Sequence, residues 1–248
     1  MDYEQAISQM WTLADKPERL RCFSKIVHEI GVPSGKEFWS QFWSIWTSSE
    51  NLNEDREFIE DLITFAEENN LGSSLAGLDA EERGALAQMD NTLVVYRGCY
   101  EENMDGWSWT TDRNRAEFFA NRASGEGTRY ILRSHIPKAS VLAHLMGRAE
   151  SEIVIDPIGI DYDVDAEWEA QDPHGSALFY AVQNGSFFAN NPELDQARAE
   201  MMLSTVTDYE AMLSQINSAL AFAQWANLSS KLGYFQALKE GLEKRITC

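Results

Sequence analysis

The stretch Asn91-Thr92-Leu93-Val94-Val95-Tyr96-Arg97-Gly98 marks the point where this 248-residue chain changes from a helical to a β-rich character. Leu93 to Tyr96 is a short run of mostly β-branched and aromatic side chains, which is typical of a strand. Further strands are predicted at Gly106–Thr111, Arg129–Ile136, Val141–Leu145, Glu152–Asp156 and Ile158–Val164, with a helix at Arg113–Arg122. The centre of the chain is therefore expected to form a sheet.

Helices are predicted on both sides of this centre. Gly35–Trp46 carries five aromatic side chains at helical spacing, and Glu54–Asn70 repeats an apolar helical pattern. The aromatic face is interpreted as core, with a partner-binding groove or a cover for a ligand site as the alternative. Asp79 can cap a third helix. After about residue 165, helices are predicted at Ser176–Gln183, Leu194–Trp225 and Ser229–Arg245.

This pattern predicts an α+β protein in three parts. A helical region at 1–90 precedes a β-rich core at 91–165, and a second helical region follows at 166–248.

Charge separates the centre from its flanks. The chain has 40 acidic and 20 basic residues and a net charge of −20, so direct nucleic-acid binding is not expected. The segment Asn91–Glu150, by contrast, holds nearly equal numbers of basic and acidic side chains. An anionic ligand in this segment explains the contrast, and so do acidic flanks that only maintain solubility.

Several absences favour a cytoplasmic location. No apolar run reaches the length of about 18 residues that a membrane span needs. The acidic start Met1-Asp2-Tyr3-Glu4-Gln5 lacks the features of a secretory signal. The widely spaced Cys22, Cys99 and Cys248 fit reduced thiols better than a disulfide framework. The four histidines show no metal-ligand spacing, so no metal site is expected.

Two motifs in the centre carry polar groups suited to a ligand. In Tyr96-Arg97-Gly98, the guanidinium offers a fork of donors to phosphate or ribose oxygens, and the glycine lets a ligand approach the backbone. An ordinary ion pair is the alternative for Arg97. In Ser108-Trp109-Thr110, strand alternation places both hydroxyls on one face and Trp109 on the other. The alternative here is a simple helix cap at Thr111 or Asp112.

A third motif, Glu150-Ser151-Glu152, runs directly into an apolar strand. Strand geometry puts both carboxylates on one side, about 7 Å apart. Such a pair is unfavourable unless a cation lies opposite or one acid has a raised pKa. Paired acids are common where a carboxylate stabilises an oxocarbenium-like sugar carbon. The same spacing recurs at Glu167-Trp168-Glu169, but without an apolar strand after it.

In this order, the three motifs resemble the Arg–Ser–Glu class of ADP-ribosyltransferases. That family has an aromatic-Arg-Gly strand, a Ser-x-Ser/Thr strand followed by a helix, and a Glu-x-Glu motif that opens a later strand. The helix at Arg115–Ala120 and the strand pair that ends in Val141-Leu142 are also similar. The resemblance covers residues 91 to 165 and implies a split β-sheet core with NAD as co-substrate.

The resemblance also implies a function for each motif residue. The residues expected to bind NAD are Arg97, Gly98, Ser108, Thr110 and Glu152. Arg97 would contact a phosphate or ribose, and the Gly98 backbone would hold the nicotinamide amide. The residues expected to be catalytic are Glu152, Glu150 and Ser108. Glu152 would bind the nicotinamide ribose and stabilise positive charge, Ser108 would position Glu152, and Glu150 would deprotonate the acceptor.

The expected function is therefore transfer of ADP-ribose from NAD to a protein, with arginine as the preferred acceptor and nicotinamide released. A phage or bacterial effector would fit this activity. Two features depart from the family. Trp109 stands where a hydroxyl residue is common, so its indole either packs in the core or borders the nicotinamide. Met146–Ala149 shows no aromatic recognition residue, which leaves the choice of acceptor open. The alternatives are an NAD glycohydrolase, and an acidic nucleic-acid mimic or partner-binding inhibitor with a non-catalytic core.

Overall fold

The computed structural model describes residues 1–49, 52, 54–122, 127–147, 151–170, 199–200, 202–203 and 209–246. Two compact units are present. The helical unit comprises Met1–Pro33, Ser48–Thr64 and Val182–Cys248, and the sheet unit comprises Ser34–Thr47 and Phe65–Ala181. The predictions for Glu150, for the helix Ser176–Gln183 and for the start of the helix at Leu194 lie outside the described residues.

Within these ranges the chain forms eight α-helices and six strands. The helices are α1 (Tyr3–Leu13), α2 (Arg19–Glu29), α3 (Gly35–Ser48), α4 (Arg56–Glu68), α5 (Ala80–Gln88), α6 (Arg113–Arg122), α7 (Tyr209–Trp225) and α8 (Ser229–Ile246). The strands are β1 (Thr92–Tyr100), β2 (Ser108–Thr110), β3 (Gly127–Pro137), β4 (Val141–Leu145), β5 (Glu152–Ile155) and β6 (Asp163–Ala170). None of these helices combines the length and the apolarity that a membrane crossing needs.

Local sequence sets the helix ends in the helical unit. The Asp2 carboxylate accepts a hydrogen bond from the Gln5 amide at 2.9 Å, and the Gln5 side chain accepts one from the Asp2 amide, which caps α1. Met10 of α1 and Phe23 of α2 are fully buried. Between α7 and α8, Asn227 takes the left-handed conformation that commonly ends a helix. Amphipathic helices with local caps account for this unit.

All neighbouring strands of the sheet are antiparallel, in the order β4-β5-β2-β1-β3-β6. β1 is a central strand and pairs along its whole length with β3. The predicted α+β class is confirmed, because helices flank this sheet in the chain. The finer assignment to the transferase fold remains a proposal.

The sheet has two faces with different neighbours. On β1, burial alternates strictly, and the buried positions are Leu93, Val95, Arg97 and Cys99. We call this side the core face, because Leu93, Val95 and Cys99 join Trp109 and Ile153 there in one hydrophobic cluster. Alternation along β1 puts Arg97 on the same side. The helix face is the opposite side, where α6 packs over Gly98. A Cβ at Gly98 would lie 1.7 Å from the Ala116 carbonyl oxygen, so only glycine permits this close approach.

Most of the predicted elements are confirmed, and one strand prediction is wrong. α6 has the predicted bounds, and Asp79 caps α5 by accepting a hydrogen bond from the Glu82 amide at 2.8 Å. The last strand was predicted at Ile158–Val164, but Ile158 is exposed and the strand is β6 at Asp163–Ala170. β6 is an edge strand with exposed acidic side chains, so hydrophobicity gave little indication of where it lies.

Candidate active site

Four polar side chains form a row across the helix face of the sheet. Glu152 pairs with Thr110, Thr110 pairs with Tyr96, and Tyr96 pairs with Arg133. Directly opposed residues of antiparallel strands point to the same face, with strands about 4.8 Å apart. Thr110 is buried, whereas the other three residues are half-buried. This set, called the polar row below, has a carboxylate at one end and a guanidinium at the other.

A tryptophan from α3 holds the carboxylate of the polar row. Trp46 donates a hydrogen bond from Nε1 to Oε1 of Glu152 at 3.0 Å. Trp46 is itself buried and packs against the rings of Phe42 and Trp43, with centroids 5.8 and 5.7 Å away. A rigid donor therefore fixes the orientation of the acid that was predicted to be catalytic. The sequence predicted a buried aromatic face in α3 but not this contact.

The two hydroxyl residues of the second motif occupy different positions relative to Glu152. Thr110 lies directly opposite Glu152, and its Oγ1 accepts a hydrogen bond from the Asp112 amide at 3.1 Å. The helix cap predicted at Thr111 or Asp112 is found at Asp112, whose Oδ1 accepts a hydrogen bond from the Asn114 amide at 2.9 Å. Ser108 lies opposite Val154, which is two residues after Glu152 on β5. Ser108 and Glu152 therefore point to the same face of the sheet. Alternation places Trp109 on the core face, as predicted.

Arg97 lies on the core face, on the other side of the sheet from the polar row. Its Nε and Nη2 donate to the Asn103 carbonyl at 3.2 and 2.8 Å, and its Nη1 donates to the Ser108 carbonyl at 2.7 Å. Burial lowers the pKa of the guanidinium, and nearby groups including Asp105 oppose this shift. The guanidinium thus links the segment between β1 and β2 to the first residue of β2 through these hydrogen bonds. Its predicted contact with NAD remains a prediction.

The neighbouring Gly98 also has a clear packing role. α6 covers it so closely that a Cβ would meet the backbone of Ala116 and Ala120. Tyr96, Arg133 and Glu152 are each half-exposed on the same helix face. The structure therefore brings Glu152, Thr110 and Ser108 together on the helix face and places Gly98 on the same face beneath α6, whereas the Arg97 side chain lies on the core face. Glu150 is outside the described residues.

A buried histidine supports the segment that leads into Glu152. His144 of β4 lies 2.9 Å, through Nε2, from the hydroxyl oxygen of Ser151. Burial lowers the pKa of His144, while Glu82 acts in the opposite direction. The imidazole is therefore neutral near pH 7 and anchors Ser151, the residue immediately before Glu152. The sequence indicated only a surface or packed histidine at this position.

Other reactive groups give no competing site in the described ranges. Burial raises the pKa of the Cys99 thiol to about 11, so this cysteine is protonated rather than nucleophilic. No three His, Cys, Asp or Glu side chains cluster there as metal ligands would. Comparisons with protein-family models, curated proteins and solved structures find no match for this chain. The polar row is consequently the candidate site on which a function must be argued.

Proposed function

We propose that this protein transfers ADP-ribose from NAD to a protein side chain, with arginine as the preferred acceptor. The observation that carries the proposal is the Glu152 carboxylate, oriented by the indole of Trp46 at 3.0 Å on a half-exposed face of the sheet. The three ordered motifs that resemble the Arg–Ser–Glu class give the same assignment to Glu152. Geometry and motif order thus support one reaction.

The reaction places specific demands on a carboxylate. The bond between ribose C1′ and the nicotinamide nitrogen breaks, and both bonding electrons leave with neutral nicotinamide. The ribose ring gains positive charge as this bond lengthens, and a preorganised carboxylate stabilises that charge. Glu152 is suited to this task because Trp46 holds it in one orientation before substrate arrives.

Transfer is completed at the acceptor nitrogen. This nitrogen forms the new bond to C1′ and gives up one proton to a base. The resemblance assigns that function to Glu150. Thr110, directly opposite Glu152 in the polar row, offers a hydroxyl group to the ribose, and the Tyr96 hydroxyl belongs to the next strand along.

The test compares wild-type protein with Glu152→Gln, using NAD labelled in its ADP-ribose part and a cell lysate as the source of acceptor. Free nicotinamide and protein-bound label are measured separately. Glu167→Gln is the matched control, because Glu167 belongs to the second Glu-x-Glu sequence and is exposed on the edge strand β6. We expect labelled protein from the wild type and from Glu167→Gln, and a loss of at least 100-fold with Glu152→Gln.

Other outcomes identify the alternatives. Release of nicotinamide without labelled protein, lost with Glu152→Gln, would indicate an NAD glycohydrolase. Wild-type protein that neither binds nor consumes NAD would refute the proposal. The net charge of −20 would then favour a search for a basic partner whose binding weakens steeply with salt.

A further inference from the structure

Arg133 of β3 has no carboxylate partner among the described residues. Its Nη2 lies 3.3 Å from His135 Nε2, and its Nε is buried without a hydrogen-bond partner among the described residues. Asp163 is opposite on β6, yet no ion pair joins the two within the part of the chain that the structure describes. By contrast, Arg113 forms an ion pair with Asp165 at 2.7 Å. Unlike Arg97, whose donors are used on backbone carbonyls, Arg133 keeps donors available for an anionic ligand.

The position of Arg133 also points to the candidate site. It is the cationic end of the polar row, three strands away from Glu152. Three steps between strands separate the two Cα atoms by roughly 14 Å. α6 begins at Arg113, shortly after Thr110, and the Asp112 carboxylate caps it by accepting a hydrogen bond from the Asn114 amide at 2.9 Å. Arg133 is therefore the cationic group at the end of the row that lies farthest from Glu152.

We propose that Arg133 binds the diphosphate of NAD, while Arg97 acts only within the fold. This inference rests on the proposed function, since Glu152 at the other end of the row receives the nicotinamide ribose. The planar guanidinium can donate two parallel hydrogen bonds to phosphate oxygens. Thr110 and Tyr96 lie between the two ends of the row, along which the bound NAD would extend from ribose to diphosphate.

The donors of the two arginines explain why the assignment falls on Arg133. Arg97 uses three of its nitrogens on the carbonyls of Asn103 and Ser108, and it lies on the core face. Arg133 is half-exposed on the same face as Glu152. A diphosphate that contacts the polar row can therefore reach Arg133 without any rearrangement of the sheet.

Calorimetric titration of the full chain with NAD, and separately with ADP-ribose, tests this assignment. We expect Arg133→Gln to raise the Kd for both ligands by about 10- to 100-fold, as for loss of a charge-assisted pair. Arg133→Lys should recover part of the affinity, because it keeps the charge without the planar fork. Arg56→Gln is the control for net charge, since Arg56 already pairs with Glu60 at 2.8 Å, and its Kd should stay within about 2-fold of wild type.

The outcomes separate this inference from the proposed function. Arg133-dependent binding of ADP-ribose without nicotinamide release would support the Arg133 assignment and refute the transferase. Unchanged affinity of a folded Arg133→Gln or Arg133→Lys protein, with nicotinamide release intact, would overturn the Arg133 assignment alone. Wild-type protein that binds neither ligand would overturn both.

Discussion

Replacing Trp46 with phenylalanine removes the indole donor to Glu152 but keeps an aromatic ring in the buried face of α3. The bond lost is 3.0 Å long and ends on a carboxylate. Hydrogen bonds to charged groups contribute about 1.5–3 kcal/mol, and the lower end applies here because Glu152 is half-exposed and regains water. We therefore assign roughly 1.5 kcal/mol to the bond itself.

Packing adds a second contribution to the same substitution. Trp46 is among the largest fully buried side chains, so the smaller ring leaves a cavity that costs about 1 kcal/mol. The free energy of unfolding should fall by about 2–3 kcal/mol, which corresponds to a decrease in Tm of about 4–12 °C. If the transition state loses the whole contribution of this hydrogen bond, roughly 1.5 kcal/mol, nicotinamide release should slow by about 10-fold.

Trp43→Phe is the matched control for Trp46→Phe. Trp43 lies on the same helix, is equally buried, and donates from Nε1 to the Ser74 carbonyl at 2.9 Å, which leaves Glu152 untouched. Both variants should lose similar stability in thermal denaturation, but only Trp46→Phe should slow nicotinamide release per folded molecule. Equal slowing in both variants would refute the reasoning, because general loosening of α3 would then explain the effect.

A double-mutant cycle tests the contact itself without reference to any activity. Trp46→Phe, Glu152→Ala and the double variant should show a coupling energy of about 1–1.5 kcal/mol in chemical denaturation. A coupling energy near zero would mean that the hydrogen bond does not stabilise the folded protein.

Three further predictions concern the support of the site. Gly98→Ala should destabilise the protein by at least about 3 kcal/mol, because its Cβ would collide with the Ala116 carbonyl. Gly84→Ala, with open space around the new methyl group, should instead add about 0.5–1 kcal/mol, and a reversed order in thermal denaturation would contradict this packing. Arg97→Met should lower the free energy of unfolding by about 3 kcal/mol, because the Asn103 and Ser108 carbonyls lose their hydrogen-bond donors, but the Kd for ADP-ribose should not change. Weaker binding of ADP-ribose at unchanged stability would show instead that Arg97 contacts the ligand. Because the folded-state pKa of His144 is lowered, the unfolded chain binds a proton that the folded protein does not, so stability should decrease as the pH falls below about 6.5. His144→Gln should reduce that decrease in acid denaturation curves, and identical curves would argue against a buried neutral imidazole.

Local features of the sequence were enough to predict much of the framework. The capping box of Asp79 and Glu82 is one such feature, and the alternation along β1 is another. Each of them depends on residues that are close together in the sequence. The bounds of α6 and the strand at Val141–Leu145 follow from the same short-range patterns. The sequence also singled out Glu152 by its position at the start of an apolar strand. Alternation along β1 also puts Arg97 on the same face as the buried Val95, so the sequence alone indicates a buried guanidinium at this position.

Only the tertiary structure decided how these pieces form one site. Trp46 contacts Glu152 across 106 positions of sequence, and no local pattern contains such a pair. The strand registers that place Thr110 opposite Glu152 and Arg133 opposite Tyr96 arise from pairing between strands that are distant in sequence. The sequence by itself determined most of the helices and strands, the side-chain alternation within each strand and the acid that starts β5, because those depend on neighbouring residues. The position of the edge strand β6, and the side chains that different strands bring to one face, depended on long-range packing of the complete sheet.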